Sequence, residues 1–374
     1  MIEFQREAML IVFILTCTAL LIQIVYYLFI YSKFAFYHLK KEQSAKEPVS
    51  VILCARNEVK NLKRNLRSIL EQDYDDFEVV VVNDCSWDES GEYLEQLEKE
   101  SKHLKVVTLK EQEKYKHGKK FALTLGVKAA KNDLLLFTDA DCMPAGKQWI
   151  SNMQQRFHDE TEIVLSYCGY NKLPGLLNKL IRFDTFFVAL QYFSASLVNQ
   201  PYMGVGRNLA YRKSLFFRAK GFAKHNHLLS GDDDLFVNEN ANAHNTSIEV
   251  SPDSFTFSQS KETFGDWLKQ KKRHLSTGIY YRFRDKVFLG GYWSSTVLFY
   301  AGLITLAFLR FNWQILLGAF LFRVILQTII FSLSMKKLNE GDLIFLFPLL
   351  EILLIIIHPI LILWNLLSPK QQWK

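Results

Sequence analysis

Hydrophobic positions in this chain fall into two regimes, long unbroken runs at the two ends and short periodic clusters between them. Ala8–Tyr31 carries no charged residue over about 24 positions, enough at 1.5 Å per residue to cross a roughly 30 Å hydrocarbon core. A cleaved leader would have a shorter apolar stretch behind a basic start. Here the first seven residues hold Glu3, Arg6 and Glu7, so an uncleaved anchor over residues 1–31 is expected. Val287–Leu309, Phe311–Met335 and Leu343–Leu367 repeat the pattern, giving about three more spans in residues 287–374.

The middle of the chain, residues 32–286, reads as one domain. Val49–Cys54 is a buried-strand pattern, and Glu58–Glu71 follows with Leu62, Leu66, Ile69 and Leu70 at helical spacing. Phe77–Val82 is a second strand, Tyr93, Leu94 and Leu97 mark a helix, and Leu104–Leu109 is a third strand. Phe121–Ala130 is then a helix before a strand over Leu134–Phe137. This alternation predicts an α/β domain with a mostly parallel sheet covered by helices on both faces.

Charge orients the spans. The chain has 45 Lys plus Arg against 38 Asp plus Glu, a formal charge of +7. Lys33, Lys40, Lys41 and Lys46 follow the first span. Lys269, Lys271, Lys272, Arg273, Arg282, Arg284 and Lys286 precede the second. Basic flanks stay cytoplasmic, so the domain is expected in the cytosol, with Lys336 and Lys337 on its side. Arg310, Lys370 and Lys374 fall on the other side, against the rule. The same basic collar suits anionic membrane lipids, and because the positive charge sits beside spans, nothing points to nucleic acid. Five scattered cysteines without a CxxC pair imply no disulfide framework or structural zinc. Asn245-Thr246-Ser247 matches a glycosylation acceptor by accident if the domain is cytosolic.

Chemistry in a parallel sheet sits beyond the carboxyl ends of the strands. Here those ends read Ala55-Arg56-Asn57-Glu58, Asn83-Asp84-Cys85-Ser86 and Thr138-Asp139-Ala140-Asp141. Asp139 and Asp141 alternate in an extended segment, so both carboxylates can approach one Mg or Mn ion. Asp84 suits a nucleobase or ribose, or else a turn or helix cap. Gly118-Lys119-Lys120 lacks the earlier glycine and the hydroxyl residue of a P-loop. Gly204-Val205-Gly206-Arg207-Asn208-Leu209 follows no first strand, which argues against a nicotinamide enzyme. Gly231-Asp232-Asp233-Asp234 crowds three acids, a general base or a solvated acidic turn. Gln270-Lys271-Lys272-Arg273-His274 adds cations close to the membrane.

Taken together over residues 49–278, these segments resemble the membrane-bound family-2 glycosyltransferases, in the ceramide glucosyltransferase and polysaccharide synthase-like group. The resemblance implies a GT-A fold, a Rossmann-like domain beside transmembrane helices. It places Asp84 on the nucleotide base and Arg56, Glu58 and Lys119 in the nucleotide pocket. Asn208 joins the donor-binding set, and Asp139 and Asp141 hold the donor and its metal. Gln270 and Arg273 meet the diphosphate, and Asp233 is the base with Asp232 as runner-up. His274 stands where processive members carry Trp, which weakens a polymer channel. The implied reaction is a single inverting displacement from a nucleotide sugar, a UDP-sugar, to a lipid or lipid-linked glycan acceptor. A processive polysaccharide synthase is the nearest alternative, and a catalytically silent nucleotide-sugar-binding scaffold the next. The implied setting is the cell inner membrane, alongside other envelope-glycan biosynthesis proteins.

Leu173–Leu197 sets Leu176, Leu177, Leu180 and Ile181 on one helical face, an interfacial helix feeding the acceptor or, equally, domain core. Arg323 and Glu351 lie within spans and are expected to form an ion pair. Pro348 and Pro359 are expected to kink the last span.

Overall fold

The computed structural model describes residues 2–39, 45–110, 118–158, 160–228 and 230–367. The charge reading at Lys40, Lys41, Lys370 and Lys374 lies outside them. Strands β1 (Val49–Ala55), β2 (Phe77–Asp84), β3 (Leu104–Leu109), β4 (Leu134–Phe137) and β5 (Met143–Pro144) precede β6 (Ile163–Leu165) and β7 (Cys168–Tyr170). β8 (Leu209–Arg212), β9 (Thr246–Ile248) and β10 (Thr256–Ser258) follow. Seven form one sheet in the order β3-β2-β1-β4-β8-β6-β9, and β5-β10-β7 form a second.

β2 is buried at every position, as its Val79–Val82 run and central place demand. It pairs in parallel with β1 from Val49↔Phe77 to Ala55↔Asn83, so the two strands end level and set Arg56 beside Asp84. β4 pairs in parallel with the other edge of β1 and ends at Phe137, opposite Ile52. β8 runs antiparallel to β4, with Leu209 facing Phe137. The residues before β8, not those after it, therefore reach the edge where β1, β2 and β4 end.

Helices α1 (Ile2–Val25), α2 (Ser32–Ala35), α3 (Val59–Leu70), α4 (Ser90–Glu100) and α5 (Lys119–Ala129) come first, α1 and α2 joined by a π-helical segment over Tyr26–Tyr31. Then come α6 (Trp149–Gln154), α7 (Leu176–Leu197), α8 (Lys213–Arg218), α9 (Asp234–Asn240) and α10 (Phe264–Leu275). The chain closes with α11 (Phe283–Phe308), α12 (Trp313–Lys337) and α13 (Phe347–Leu367). α5 lies against β1 and β2 at Gly126, where a Cβ would sit 2.8 Å from Ile52 Cγ2.

Four of the described helices are long and apolar enough to cross a membrane: Arg6–Ala35, Phe283–Phe308, Trp313–Lys337 and Phe347–Asn365. The expected ion pair forms, with Arg323 Nη2 3.0 Å from Glu351 Oε1. It is also larger than expected. Arg323 Nε donates to Gln23 Oε1 at 2.6 Å and Nη1 to Tyr300 Oη at 3.0 Å, while Gln327 Nε2 donates to Glu351 Oε1 at 2.7 Å. One buried polar cluster thus holds side chains from α1, α11, α12 and α13. Pro348 sits in the first turn of α13, where a missing N–H breaks no helical bond, whereas Pro359 is interior.

Of the two readings of α7, interfacial helix or domain core, its burial fits the second. Of its 22 residues 15 are buried, including Leu180 and Ile181, while Leu176 is half exposed. The reason is position: α7 contacts β7 and β9 as well as α2, the π-helical segment and α13. A single apolar core runs from Ile52, Val80 and Phe137 through Phe183, Phe186 and Phe187 to Tyr27, Tyr292 and Phe331. Ion pairs reinforce this junction. Arg182 donates to Glu340 Oε2 through Nε at 2.9 Å and to Asp342 Oδ1 through Nη2 at 2.6 Å. Tyr167 Oη donates to Glu340 Oε1 at 3.0 Å. The turn between α12 and α13 is therefore plugged into the α/β domain.

Candidate active site

Arg56, Asp84 and Asp139 lie at or just past the ends of β1, β2 and β4 at one sheet edge, while Lys119, Asp232, Asp233, Gln270 and Arg273 come from α5, the start of α9 and α10. After β1, Asn57 adopts a left-handed φ of 56°, as Cys85 does after β2 with 52°. The two turns are locked together, Asn57 N–H donating to Ser86 Oγ at 3.0 Å and Trp87 N–H to Asn57 Oδ1 at 2.9 Å. Asp88 and Ser90 receive the N–H groups of Val59 and Glu58 at 3.2 and 3.1 Å. Within this frame Asp84 is buried, and its Oδ1 has no hydrogen-bond partner among the described residues. The same holds for Asn83 Oδ1 and Arg56 Nε. Buried polar atoms without partners are costly, and three at one sheet edge suit a ligand carrying both donors and acceptors. The Arg56 guanidinium lies 5.7 Å from the ring of Trp87, which is 77% exposed.

Beyond β4 the charges concentrate. Lys119, in the first turn of α5, places Nζ 2.9 Å from Asp139 Oδ1 and 3.1 Å from Asp232 Oδ2. One ammonium thus bridges two segments nearly a hundred residues apart. Burial opposes its charge, but Asp139, Asp232 and Asp233 more than offset that and raise its pKa. Burial likewise pushes Asp139 up, while Lys119, Arg207 and Arg273 prevail and hold it below the usual carboxylate range. Asp141 Oδ2 accepts from Ser258 Oγ at 2.9 Å. Glu58 is half-buried and accepts from Asn61 Nδ2 at 2.5 Å; burial, then Asp141 and Asp139, raises its pKa.

The three consecutive acids have three different environments. Asp232 faces Lys119. Asp233 Oδ2 accepts from Gly206 N–H at 2.7 Å and Oδ1 from Asp234 N–H at 2.8 Å. Burial, with Asp232 and Asp234 on either side, pushes Asp233 up to about 7. Asp234 turns inward, where Tyr281 Oη at 2.7 Å and Thr277 Oγ1 donate to it. Lys119, Asp139, Gly206, Asp232 and Asp233 line one cleft.

Asn208 is not in that cleft. It is fully buried, accepts from Trp149 Nε1 at 3.0 Å and donates to the carbonyls of Tyr167 and Ser254 at 2.8 Å each. It fastens the chain before β8, so its expected place beside the donor is not where its side chain lies. Its neighbour Arg207 points the other way, 4.6 Å over the Tyr170 ring, and its carbonyl is held by Thr138 and Thr256 hydroxyls at 3.1 and 3.0 Å. Arg207 and Tyr170 are outside the expected set of site residues, and the structure puts them together beside Gln270. Gln270 Nε2 lies 3.4 Å from Tyr170 Oη, and Arg273 is exposed on the same helix.

No three His, Cys, Asp or Glu side chains converge as a metal centre among the described residues. Asp139 and Asp141 offer two carboxylates. That set fits an ion of the magnesium type, which keeps waters and binds through one or two carboxylates together with substrate phosphates.

Residues 50–219 match the family model described as glycosyl transferase family 2, and residues 178–367 that of glycosyl transferase family group 2. The chain belongs to the family-2 glycosyltransferases. A probable glycosyltransferase of Bacillus subtilis, YdaM, is 26% identical over 237 residues, 60% of this chain and 54% of that protein. A poly-beta-1,6-N-acetyl-D-glucosamine synthase of Staphylococcus epidermidis is 32% identical over 120 residues, 31% of this chain and 28% of the synthase. This family-2 chain thus matches about half the length of the first relative and less of the second. Among solved structures, the mannosyltransferase PcManGT of Pyrobaculum calidifontis, in complex with GDP-Man and Mn2+, superposes with a TM-score of 0.60 at 18% identity. The superposition covers 89% of this chain and 98% of that one, and it shows the GT-A fold.

Proposed function

We propose that this protein moves a sugar, with inversion, from a nucleotide-sugar donor to a lipid or lipid-linked acceptor at the cytosolic face of the cell inner membrane. The observation that carries the reading is the Lys119 bridge between Asp139 and Asp232 with Asp233 beside it, a cationic pivot between two acidic segments at one sheet edge. In this reading Asp84, Arg56 and Glu58 receive the nucleoside, a uridine in the leading case. Lys119, Gln270 and Arg273 face the diphosphate. Asp139 and Asp141 would hold Mg2+ or Mn2+, which when bound stabilises charge on the departing diphosphate. The Mn2+ and GDP-Man in the P. calidifontis neighbour support a metal and a nucleotide sugar here.

Asp233 takes the acceptor's proton. A carboxylate poised near neutrality is well matched to that task, and its two backbone N–H partners fix its orientation. The acceptor oxygen then forms its bond to the anomeric carbon as the bond to the diphosphate breaks, and the configuration inverts.

A processive polysaccharide synthase is the second reading, favoured by the S. epidermidis synthase relative; product length separates the two. The test is nucleoside diphosphate release by protein in lipid nanodiscs with Mn2+ and a panel of UDP- and GDP-sugars, with and without a lipid extract. Release that needs one donor, the extract and both Asp141 and Asp233, judged by Asp141→Asn and Asp233→Asn, is the expected result. Donor binding without release by the wild type would replace the transferase reading with that of a silent nucleotide-sugar-binding scaffold.

A further inference from the structure

α10 has two working faces. Gln270 reaches Tyr170 and the exposed Arg273 lies near enough to Asp139 to favour its charged form, while Lys271 and Lys272 between them turn away and are buried. Lys271 Nζ lies 2.7 Å from Asp184 Oδ1 on α7, with side-chain exposures of 9% and 7%. His358 on α13 places Nε2 3.3 Å from the same Asp184 oxygen and stacks edge-on against Trp293 of α11 at 4.6 Å. Lys272 Nζ sits 4.3 Å over the Trp364 ring, and Asn365 Nδ2 donates to the Lys272 carbonyl at 2.9 Å. Burial pushes the Asp184 carboxyl up, but Lys271 and His358 more than offset this and hold it at about 2, so it is ionised at neutral pH.

We propose that Asp184 is a positioning residue for donor binding: through Lys271 it fixes the rotation of α10 that aims Gln270 and Arg273 at the donor's diphosphate, and through His358 it references that rotation to α13. The inference rests on the reading of Gln270 and Arg273 as diphosphate ligands. Among the described residues the Lys271–Asp184 contact is the one buried ion pair that α10 makes with another element, since Lys272 meets the Trp364 ring and the exposed Lys269 pairs with Asp266 of its own turn. An ion pair fixes orientation where apolar packing alone would tolerate a turn of several degrees, and small misplacements of binding groups are expensive.

Asp184→Asn alone leaves Lys271 buried without its counter-ion and risks the fold. The test therefore pairs it with Lys271→Met, a neutral replacement of the whole pair, and checks folding by thermal melting. Full-length protein in nanodiscs is titrated with UDP and GDP plus Mn2+, reading Kd, for wild type, Asp184→Asn/Lys271→Met, Arg273→Ala and the combination of all three. Acting through α10, the pair variant weakens binding about tenfold, Arg273→Ala does the same, and the combination is little worse than either. Multiplication of the two losses in the combination overturns the proposal, as does wild-type affinity in the pair variant. Lys271→Arg, which keeps the ion pair, is expected to bind like wild type. Nucleotide affinity is read without turnover. Absence of sugar transfer by the wild type therefore defeats the transferase reading alone, whereas Arg273→Ala binding like wild type defeats the diphosphate role on which this inference stands.

Discussion

Asp233 shows how a single side chain can be set against its own fold. Its pKa of about 7 lies well above the 3.8 of a free aspartate, so the folded state binds its proton more tightly than the unfolded state does. The stabilisation is complete below about pH 4 and is lost as pH rises through 7. Two outcomes follow. The kcat/KM of the wild type should rise with unit slope through about pH 7, and Asp233→Asn should lower turnover by about 10²- to 10⁴-fold. Calorimetric Tm of Asp233→Asn relative to wild type should also improve from pH 5 to pH 8, because only the wild type acquires a buried charge beside Asp232 and Asp234. Gly231 is the neighbouring constraint. Its φ is +96° and an added Cβ would lie 2.5 Å from Leu235 Cδ1, so Gly231→Ala should cost more than about 1 kcal/mol in denaturant titration. Sequence motifs locate such residues without orienting them. Arg207 and Asn208 are adjacent, yet one lies over the Tyr170 ring and the other is fastened to Trp149, Tyr167 and Ser254, which the motif does not tell apart.

At the scale of elements, β1 to β4 and α3 to α5 were legible because each carries enough apolar positions to establish a period. Leu104–Leu109 and Leu134–Phe137 fall where the pattern put them. β5 to β10 were not, because strands of two to four residues are too short to show alternation. What organises them is long-range pairing, as of β10 with β5 and β7, which brings Ser258 to Asp141. Among the spans, Arg323 and Glu351 were legible as charges in apolar surroundings. Gln23, Tyr300 and Gln327, which complete their cluster, are unremarkable in sequence. Arg323→Met should destabilise the bundle by about 3–5 kcal/mol, with Arg323→Met/Glu351→Gln recovering most of it. Melting temperatures of the two variants in nanodiscs decide this, and equal losses would count against a buried pair.

For the whole molecule, the ends of the bundle can be told apart. Lys337 Nζ donates to the Phe34 carbonyl at 3.0 Å and Glu340 reaches Arg182, so the start of α2, the end of α12 and the α/β domain share one end. α11 has 26 residues, about 39 Å of helix, which carries the turn at Arg310 to the other end, where Phe311 stacks on Phe13 at 5.0 Å. In a background without the native cysteines, Asn312→Cys should react with an impermeant thiol reagent only from the face opposite to Lys220→Cys. Labelling of both from the same side of sealed vesicles would defeat a four-span arrangement. Charge counting expects the end that carries the α/β domain to be the cytosolic one, and Arg310 runs against that expectation among the described residues.

The ion pairs at the junction also bear on how such a protein can be taken apart or inherited. Arg182 and Asp184 belong to the α/β domain, yet their partners Glu340 and His358 come from beyond the second and third candidate spans. A gene fragment ending before α11 would leave Arg182 without its acidic partners and Asp184 with Lys271 but not His358, on a face of exposed aromatics, and it is expected to be recovered insoluble. A chimera that borrows its membrane helices from another member of the family is expected to fold only if it carries both halves of each pair.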